Sequence, residues 1–312
     1  MAKYKSTLAV SNDMSATMQD LVERDELTVV PGVFDALTAK LAEDVGFEAL
    51  YLGGYVVGSS IAASEPLTTM TEMCDRAGEI TAATDLPLIV DGDAGFGNPS
   101  HTHRTIRQYD HAGIDALHIE DQVYPKRMHY FATEDREGRK HIIDTEEMQQ
   151  KVRAAAEAKS AIDSDITIIA RSDAARDQRR EFETMEDAVE RINTYFDAGA
   201  DMGLLFPADR EEARYVAERA DGPMLYVMLE NRLSRDERPS VAELQDMGFA
   251  MAAYPIGATV LAAHHTKRLY KSLHETGETG IEKETFAETR NEINRVIGLH
   301  DYYDIEERSG KK

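Results

Sequence analysis

The segment Leu88-Ile89-Val90-Asp91-Gly92-Asp93-Ala94-Gly95-Phe96-Gly97-Asn98 runs from an apolar, strand-type stretch straight into two carboxylates, then a glycine-rich turn. With Asp91 still in strand geometry, Asp91 and Asp93 can both lean out at the strand's carboxyl edge. Hard oxygen donors at the mouth of a buried strand suit Mg²⁺ or Mn²⁺, which keep several waters and leave room for a substrate. An acidic turn capping the next helix would use the same residue types. What favours chemistry is the company. Glu120 follows another apolar stretch, Lys126 lies just beyond it, and Arg171 emerges from a third. Tyr51 and Gly53-Gly54 end a fourth. An arginine leaving a buried strand must find an anion, and its planar fork fits a substrate carboxylate or an internal partner such as Asp173. A metal, an arginine clamp and a lysine together suit stabilisation of an enolate or aci-carboxylate beside a carbonyl.

These residues need a frame that brings strand ends together. Apolar strand-type runs occur at Leu27–Val30, Glu48–Leu52, Pro87–Asp91, Asp115–Ile119, Ile166–Ala170, Met202–Phe206, Leu225–Met228 and Phe249–Tyr254. Between and after them, helical spacing covers Asp35–Val45, Thr68–Ala83, Pro99–Ala112, Thr145–Ala161, Met185–Ala198, Arg210–Arg219, Val241–Met247 and Ile256–Leu273. Continuous apolar strands are those of a parallel sheet buried on both faces. Eight alternations predict a (β/α)8 TIM-type barrel, whose catalytic residues sit at strand C-termini. An open doubly wound sheet is the runner-up, but no strand–GxGxxG–helix opening stands near the start. The reading places a barrel catalytic domain over 1–275 and a C-terminal helical appendage over 276–312, the latter able to pack on a neighbouring subunit.

Two segments break the rhythm. Val56–Ser64 is rich in small residues and reads as mobile. Residues 122–143 are polar and carry Lys126, Arg127, His129, Arg136, Arg139, Lys140 and His141, a basic loop suited to covering an anionic substrate. Other histidines are weaker candidates. His101 and His103 fall on different sides of a helix start, and His118 reads as a core residue within a strand.

Composition bounds the rest. The 312 residues carry a net charge of -23, which argues against nucleic acid or an anionic membrane as partner. Arginines outnumber lysines by 23 to 12, and the acidic excess suits a salt-adapted cytoplasm. No apolar run is long enough to span a bilayer, and no signal-peptide pattern opens the chain. The single cysteine, Cys74, excludes an internal disulfide, agrees with a cytoplasmic location and reads as an inert, half-buried thiol.

Pro31-Gly32-Val33-Phe34-Asp35-Ala36-Leu37, Tyr51-Leu52-Gly53-Gly54, Asp91-Gly92-Asp93-Ala94-Gly95-Phe96-Gly97, Ile119-Glu120-Asp121-Gln122-Val123, Lys126-Arg127, Ala170-Arg171-Ser172-Asp173 and Tyr254-Pro255 together resemble the isocitrate lyase / phosphoenolpyruvate mutase superfamily. The resemblance implies a Mg²⁺-dependent (or Mn²⁺-dependent) barrel enzyme acting on small 2-oxo or 2-hydroxy acids, commonly a homotetramer with an exchanged C-terminal helix. It implies Asp93 as the most direct metal ligand, with Asp91 and Glu120 in its water shell; Tyr51, at a strand's C-terminal end, is read as a further catalytic candidate from its position. Gly53 and Gly54 would offer backbone N–H groups to a substrate carboxylate, Arg171 would grip one, and Lys126 would open the gating loop. Gln122-Val123 and Lys126-Arg127 look most like the isocitrate and methylisocitrate lyase branch. That branch usually reads Lys-(Lys/Arg)-Cys-Gly-His, whereas this chain has Lys126-Arg127-Met128-His129-Tyr130. Methionine cannot replace the cysteine as general acid, which leaves His129 or Tyr130 to donate the proton. The family's serine before its glycine, its Phe-Pro-Glu after strand six and its asparagine on strand seven are also missing. The expected activity is retro-aldol cleavage of a 2-hydroxy di- or tricarboxylate, isocitrate first and 2-methylisocitrate second. The alternatives are an oxaloacetate decarboxylase or hydrolase-like enzyme, and a barrel that binds a ligand without catalysis.

Overall fold

The structure is a computed structural model describing residues 16–128, 141–176, 183–228, 230 and 237–310. Eight short apolar runs form strands: β1 (Thr28–Pro31), β2 (Leu50–Leu52), β3 (Leu88–Asp91), β4 (Ala116–Glu120), β5 (Thr167–Arg171), β6 (Met202–Leu205), β7 (Met224–Val227) and β8 (Met251–Tyr254). All pair in parallel in the order β1-β8-β7-β6-β5-β4-β3-β2. A bridge between Gly32 and Tyr51 brings β1 back to β2, with Val33 N–H donating to the Tyr51 carbonyl at 2.9 Å. The chain is therefore the TIM-type barrel that its strand–helix alternation predicts.

Side chains on a strand alternate with a period of two, and that alternation divides the core. Leu50, Leu52, Leu88, Val90, Leu117, Ile119, Ile168 and Ala170 face the helices, whereas Tyr51, Ile89, Ala116, Ile169 and Leu204 fill the barrel's interior. Continuing the inward series along β3, β4 and β5 places Asp91, His118, Glu120 and Arg171 in the same interior. The register sets Asp91 level with His118 and Glu120 level with Arg171. The opposite mouth is closed by α1 (Met18–Glu23), whose Met18 and Leu21 pack with Ala49, Ala116 and Ala250 near the strands' starts.

The surrounding helices include α2 (Ala36–Val45), α3 (Gly54–Ser60), α4 (Met70–Thr81), α5 (Pro99–His111), α6 (Thr145–Ala161), α7 (Met185–Asp197), α8 (Arg210–Arg219) and α9 (Val241–Met247). Capping boxes at Asp35, Thr69, Thr184 and Ser240 satisfy backbone N–H groups where α2, α4, α7 and α9 begin. The segment Val56–Ser64 begins within α3, which buries Val56, Val57 and Gly58. Its small residues serve close packing, since a Cβ on Gly58 would stand 3.0 Å from the Ala63 carbonyl oxygen.

The C-terminal part is α10 (Gly257–Thr276), α11 (Lys283–Val296) and α12 (Leu299–Arg308). α11 is tied to α2 by Arg295, which grips Asp44 at 2.7 and 2.5 Å, and by buried Val296. α10 buries none of its residues against the described chain, and Val260, Leu261 and Tyr270 are more than half exposed. No helix among the described residues is long and apolar enough to cross a membrane. Cys74 is half-buried, and burial pushes its thiol pKa up, as an inert thiol requires.

Candidate active site

Lys126 is turned inward to the ends of β3 and β4, buried among carboxylates. Its Nζ lies 2.7 Å from Glu65, 2.7 Å from Glu120 and 3.5 Å from Asp93. Lys126, expected as a catalytic residue at the start of the gating loop, thus holds its ammonium among three carboxylates. The other oxygen of Glu120 stands 2.8 Å from Arg171 Nη1, and Arg171 also donates to Asp173 through Nε at 2.9 Å and Nη2 at 3.1 Å. Arg171 is therefore paired with Glu120 and Asp173. Asp173 is held in turn by the Asp121 network, with its N–H donating to Asp121 at 2.9 Å and Gln122 donating to its side chain.

Asp91 and Asp93 differ in surroundings. Asp91 Oδ1 accepts the Asp93 N–H at 2.8 Å, and Oδ2 accepts the Gly54 N–H at 3.1 Å. The Gly54 N–H, expected to meet a substrate carboxylate, is engaged by Asp91 here. A side chain on Gly54 would not fit, because its Cβ would lie 2.9 Å from Asp91 Oδ2 and 3.2 Å from Glu65 Cγ. Asp93 adopts a left-handed φ of +50°, stabilised where its Oδ1 accepts the Ala94 N–H at 2.6 Å and its carbonyl accepts the Glu120 N–H at 3.0 Å. Tyr51 meets His118 Nε2 through its hydroxyl at 2.6 Å, and His118 Nδ1 lies 3.8 Å from Asp91 Oδ1.

Electrostatics separate these groups. Burial and the negative charges of Glu120 and Asp91 raise the Asp93 carboxyl to about 7, against the pull of Lys126. Burial would also raise Asp91, but His118, Lys126, Arg171 and the Asp93 N–H outweigh it and hold Asp91 low. Burial raises Glu65, partly countered by Lys126. For Lys126, burial opposes the charge, yet Glu120, Glu65 and Asp93 keep the ammonium firmly protonated. Burial lowers His118 despite Asp91 beside it.

Tyr51, Gly54, Asp91, Asp93, Glu120, Lys126 and Arg171 thus gather at one end of the barrel, with Gly53 capping α3 alongside. His129 and Tyr130 lie outside the described residues, as does most of the basic loop 122–143. Met128, where the lyase branch carries cysteine, is exposed. His101 bonds Asn98 at 2.8 Å in the first turn of α5. Glu65 and His118 escaped the sequence reading as site residues. His118 had a signal, since it stands two residues before Glu120 on one strand face. Glu65 had none: it sits in a short 3₁₀ turn, Glu65–Leu67, after α3.

The donors fit a hard divalent cation. Both buried oxygens of Glu120 accept no aligned hydrogen bond among the described residues, although Lys126 and Arg171 stand close. Four carboxylates therefore converge with accepting capacity to spare. Among the described residues no three His, Cys, Asp or Glu side chains are placed to chelate a metal directly. Hard oxygen donors of this kind match Mg²⁺, which takes one or two carboxylates and keeps its waters.

A family model for phosphoenolpyruvate phosphomutase matches residues 18–274. The 2-methylisocitrate lyase of Aeropyrum pernix is 35% identical over 291 residues, spanning 91% of this chain and 87% of the relative. The 2,3-dimethylmalate lyase of Eubacterium barkeri is 33% identical over 295 residues, spanning 94% and 96%. An oxaloacetate acetylhydrolase, solved in complex with the inhibitor 3,3-difluorooxalacetate, is 29% identical and superposes with a TM-score of 0.82 over 96% of this chain and 97% of that one.

Proposed function

Since the chain belongs to the phosphoenolpyruvate mutase/isocitrate lyase superfamily, we propose that it is a Mg²⁺-dependent carbon–carbon lyase cleaving a 2-hydroxy di- or tricarboxylate to a 2-oxo acid. The observation that carries this reading is the convergence of Asp91, Asp93, Glu120 and Glu65 with Lys126 and Arg171 at one barrel mouth. Relatives named for 2-methylisocitrate and 2,3-dimethylmalate put methyl-branched substrates, which release pyruvate, beside isocitrate, which releases glyoxylate.

Asp93 would hold the metal most directly, with Asp91, Glu120 and Glu65 binding its waters. When bound, Mg²⁺ supplies positive charge to oxygens that become more negative as the bond breaks. Arg171 holds a substrate carboxylate with the fork it now gives to Glu120 and Asp173. Tyr51 takes the hydroxyl proton as its own passes to His118 Nε2, 2.6 Å away; the carbon–carbon bond then breaks as the hydroxyl carbon becomes the 2-oxo carbon. The electron pair leaves with the second fragment as an aci-carboxylate, and Lys126 adds positive charge beside it. His129 or Tyr130 returns a proton to that carbon.

The exposed apolar face of α10 supports a homotetramer in which this helix packs on a second copy. The acidic surface supports a salt-adapted cytoplasm.

Incubation with Mg²⁺ at low and molar KCl, using 2-methylisocitrate, isocitrate, 2,3-dimethylmalate and oxaloacetate separately, tests the function. Release of pyruvate or glyoxylate is expected; no cleavage of any hydroxy acid overturns the lyase reading. Hydrolysis of oxaloacetate to oxalate and acetate is the second reading, favoured by Met128 standing where the lyase branch has its acid.

A further inference from the structure

Lys151 lies within α6 on a stripe shared with Met148, Val152, Ala155 and Ala158, all apolar and buried. It is itself 2% exposed. Its Nζ donates to the Ala94 carbonyl at 2.9 Å, the single hydrogen-bond acceptor it meets among the described residues. An ammonium so placed is a costly filler for space that a methionine would occupy, because burying a charge is unfavourable unless something compensates it.

The compensation lies in what the ammonium holds. Ala94 follows Asp93, whose left-handed backbone is seldom adopted by a residue with a side chain. The turn around it is fixed at several points: Gly92 N–H to the His118 carbonyl at 2.8 Å, Glu120 N–H to the Asp93 carbonyl at 3.0 Å, and Thr105 Oγ1 to the Gly95 carbonyl at 3.2 Å. Lys151 secures the carbonyl between those of Asp93 and Gly95. Burial lowers the Lys151 pKa, against the negative charges of Glu147 on its own helix and of Asp93, Glu120 and Asp121, which favour the ammonium.

We propose that Lys151 is a positioning residue for the divalent cation: through the Ala94 carbonyl it fixes the turn that aims Asp93, and its charge allows the carboxylates to gather. This inference rests on the metal reading above. It is tested by calorimetric titration of the full chain with Mg²⁺, alongside denaturation midpoints and backbone hydrogen exchange over residues 92–97. Lys151→Met should weaken Mg²⁺ binding about tenfold or more, within the range for residues that orient metal ligands, and speed exchange in the turn. Lys151→Arg, which keeps donor and charge, should bind within about threefold of wild type on the same grounds. If Lys151→Met does not fold, Lys151→Gln replaces it with the same expected loss. Unchanged affinity and exchange in a folded Met or Gln variant overturn the positioning role, as does a loss that arginine fails to restore. Wild-type protein that takes up no Mg²⁺ overturns both this inference and the metal reading.

Discussion

In its proposed role Asp93 carries two demands that conflict: it would have to be ionised to hold a cation, yet it is buried beside Glu120 and Asp91. The conflict sets the sign of its pH dependence. Its folded pKa of about 7 lies above the ordinary aspartate value of 3.8, so between those values the folded chain binds more protons than the unfolded one. Metal-free stability should therefore fall as pH rises from about 4 to about 7 and level off above, Asp93 alone contributing on the order of 4 kcal/mol. Raised Glu65 and Asp121 act in the same direction. Depressed Asp91 acts in the opposite sense, its stabilisation being present above its unfolded value and lost as pH falls through its low folded pKa. Asp93→Asn keeps an oxygen for the Ala94 N–H and removes the charge. In EDTA the variant should melt higher than wild type at pH 8, by several degrees, and about equally at pH 4. With Mg²⁺ present it should lose metal binding and at least about a hundredfold in kcat/KM. A variant that melts lower than wild type at pH 8 would show that the carboxylate is not strained there.

At the scale of elements, what positions the site is strand alternation and the turns that follow it. Gly54 shows how tightly the turn after β2 is fitted to the end of β3. Gly54→Ala places its methyl against Asp91 and Glu65, so the cluster must spread, at a cost of roughly 1–3 kcal/mol. Thermal melts should show that loss, and calorimetry should show weaker Mg²⁺ binding. A variant with unchanged melting and metal affinity would mean that the carboxylates are not held by that contact. Strands were legible because β3, β4 and β5 are continuous apolar runs ending in a charge, and the position of Asp91, Glu120 and Arg171 followed from the barrel they imply. Residues 56–60 gave little helical signal because glycine and serine resemble loop composition, yet they continue α3, with Val56 and Val57 buried. The inward turn of Lys126 was not legible, since its cause is charge brought from β3, β4 and the turn at Glu65. Lys151 left a trace, a lysine on the apolar stripe of α6, but its purpose required the Ala94 carbonyl to be located.

The whole molecule has two unbalanced surfaces. The first is α10, which buries none of its residues against the described chain and leaves Val260 and Leu261 52% and 59% exposed. If the proposed homotetramer forms through this face, Val260→Glu with Leu261→Glu should leave circular dichroism intact and reduce the particle's mass by light scattering. An unchanged mass would exclude this face from the interface. The second is charge. With 58 acidic against 35 basic residues, repulsion is spread over the surface, while pairs such as Arg24–Glu48 at 2.8 Å and Arg295–Asp44 at 2.5 Å recover a part of it. Those exposed pairs are each worth about 1 kcal/mol or less and are themselves screened by salt. The net effect of salt therefore depends on which is larger, lost pairs or lost repulsion, and a net charge of -23 favours the latter. The screening length falls from about 10 Å at ~0.1 M salt to about 3 Å at ~1 M, shorter than most separations between like charges on a protein surface. Relief of several kcal/mol then corresponds to a rise of roughly 10 °C in melting temperature for a chain of this size. The rise should occur in KCl with EDTA present, which separates general screening from occupation of the carboxylate site. It should be larger at pH 8 than at pH 5, where fewer carboxylates are ionised. A midpoint indifferent to KCl at both pH values would mean that the acidic excess is already balanced locally, and the salt-adapted reading would fall.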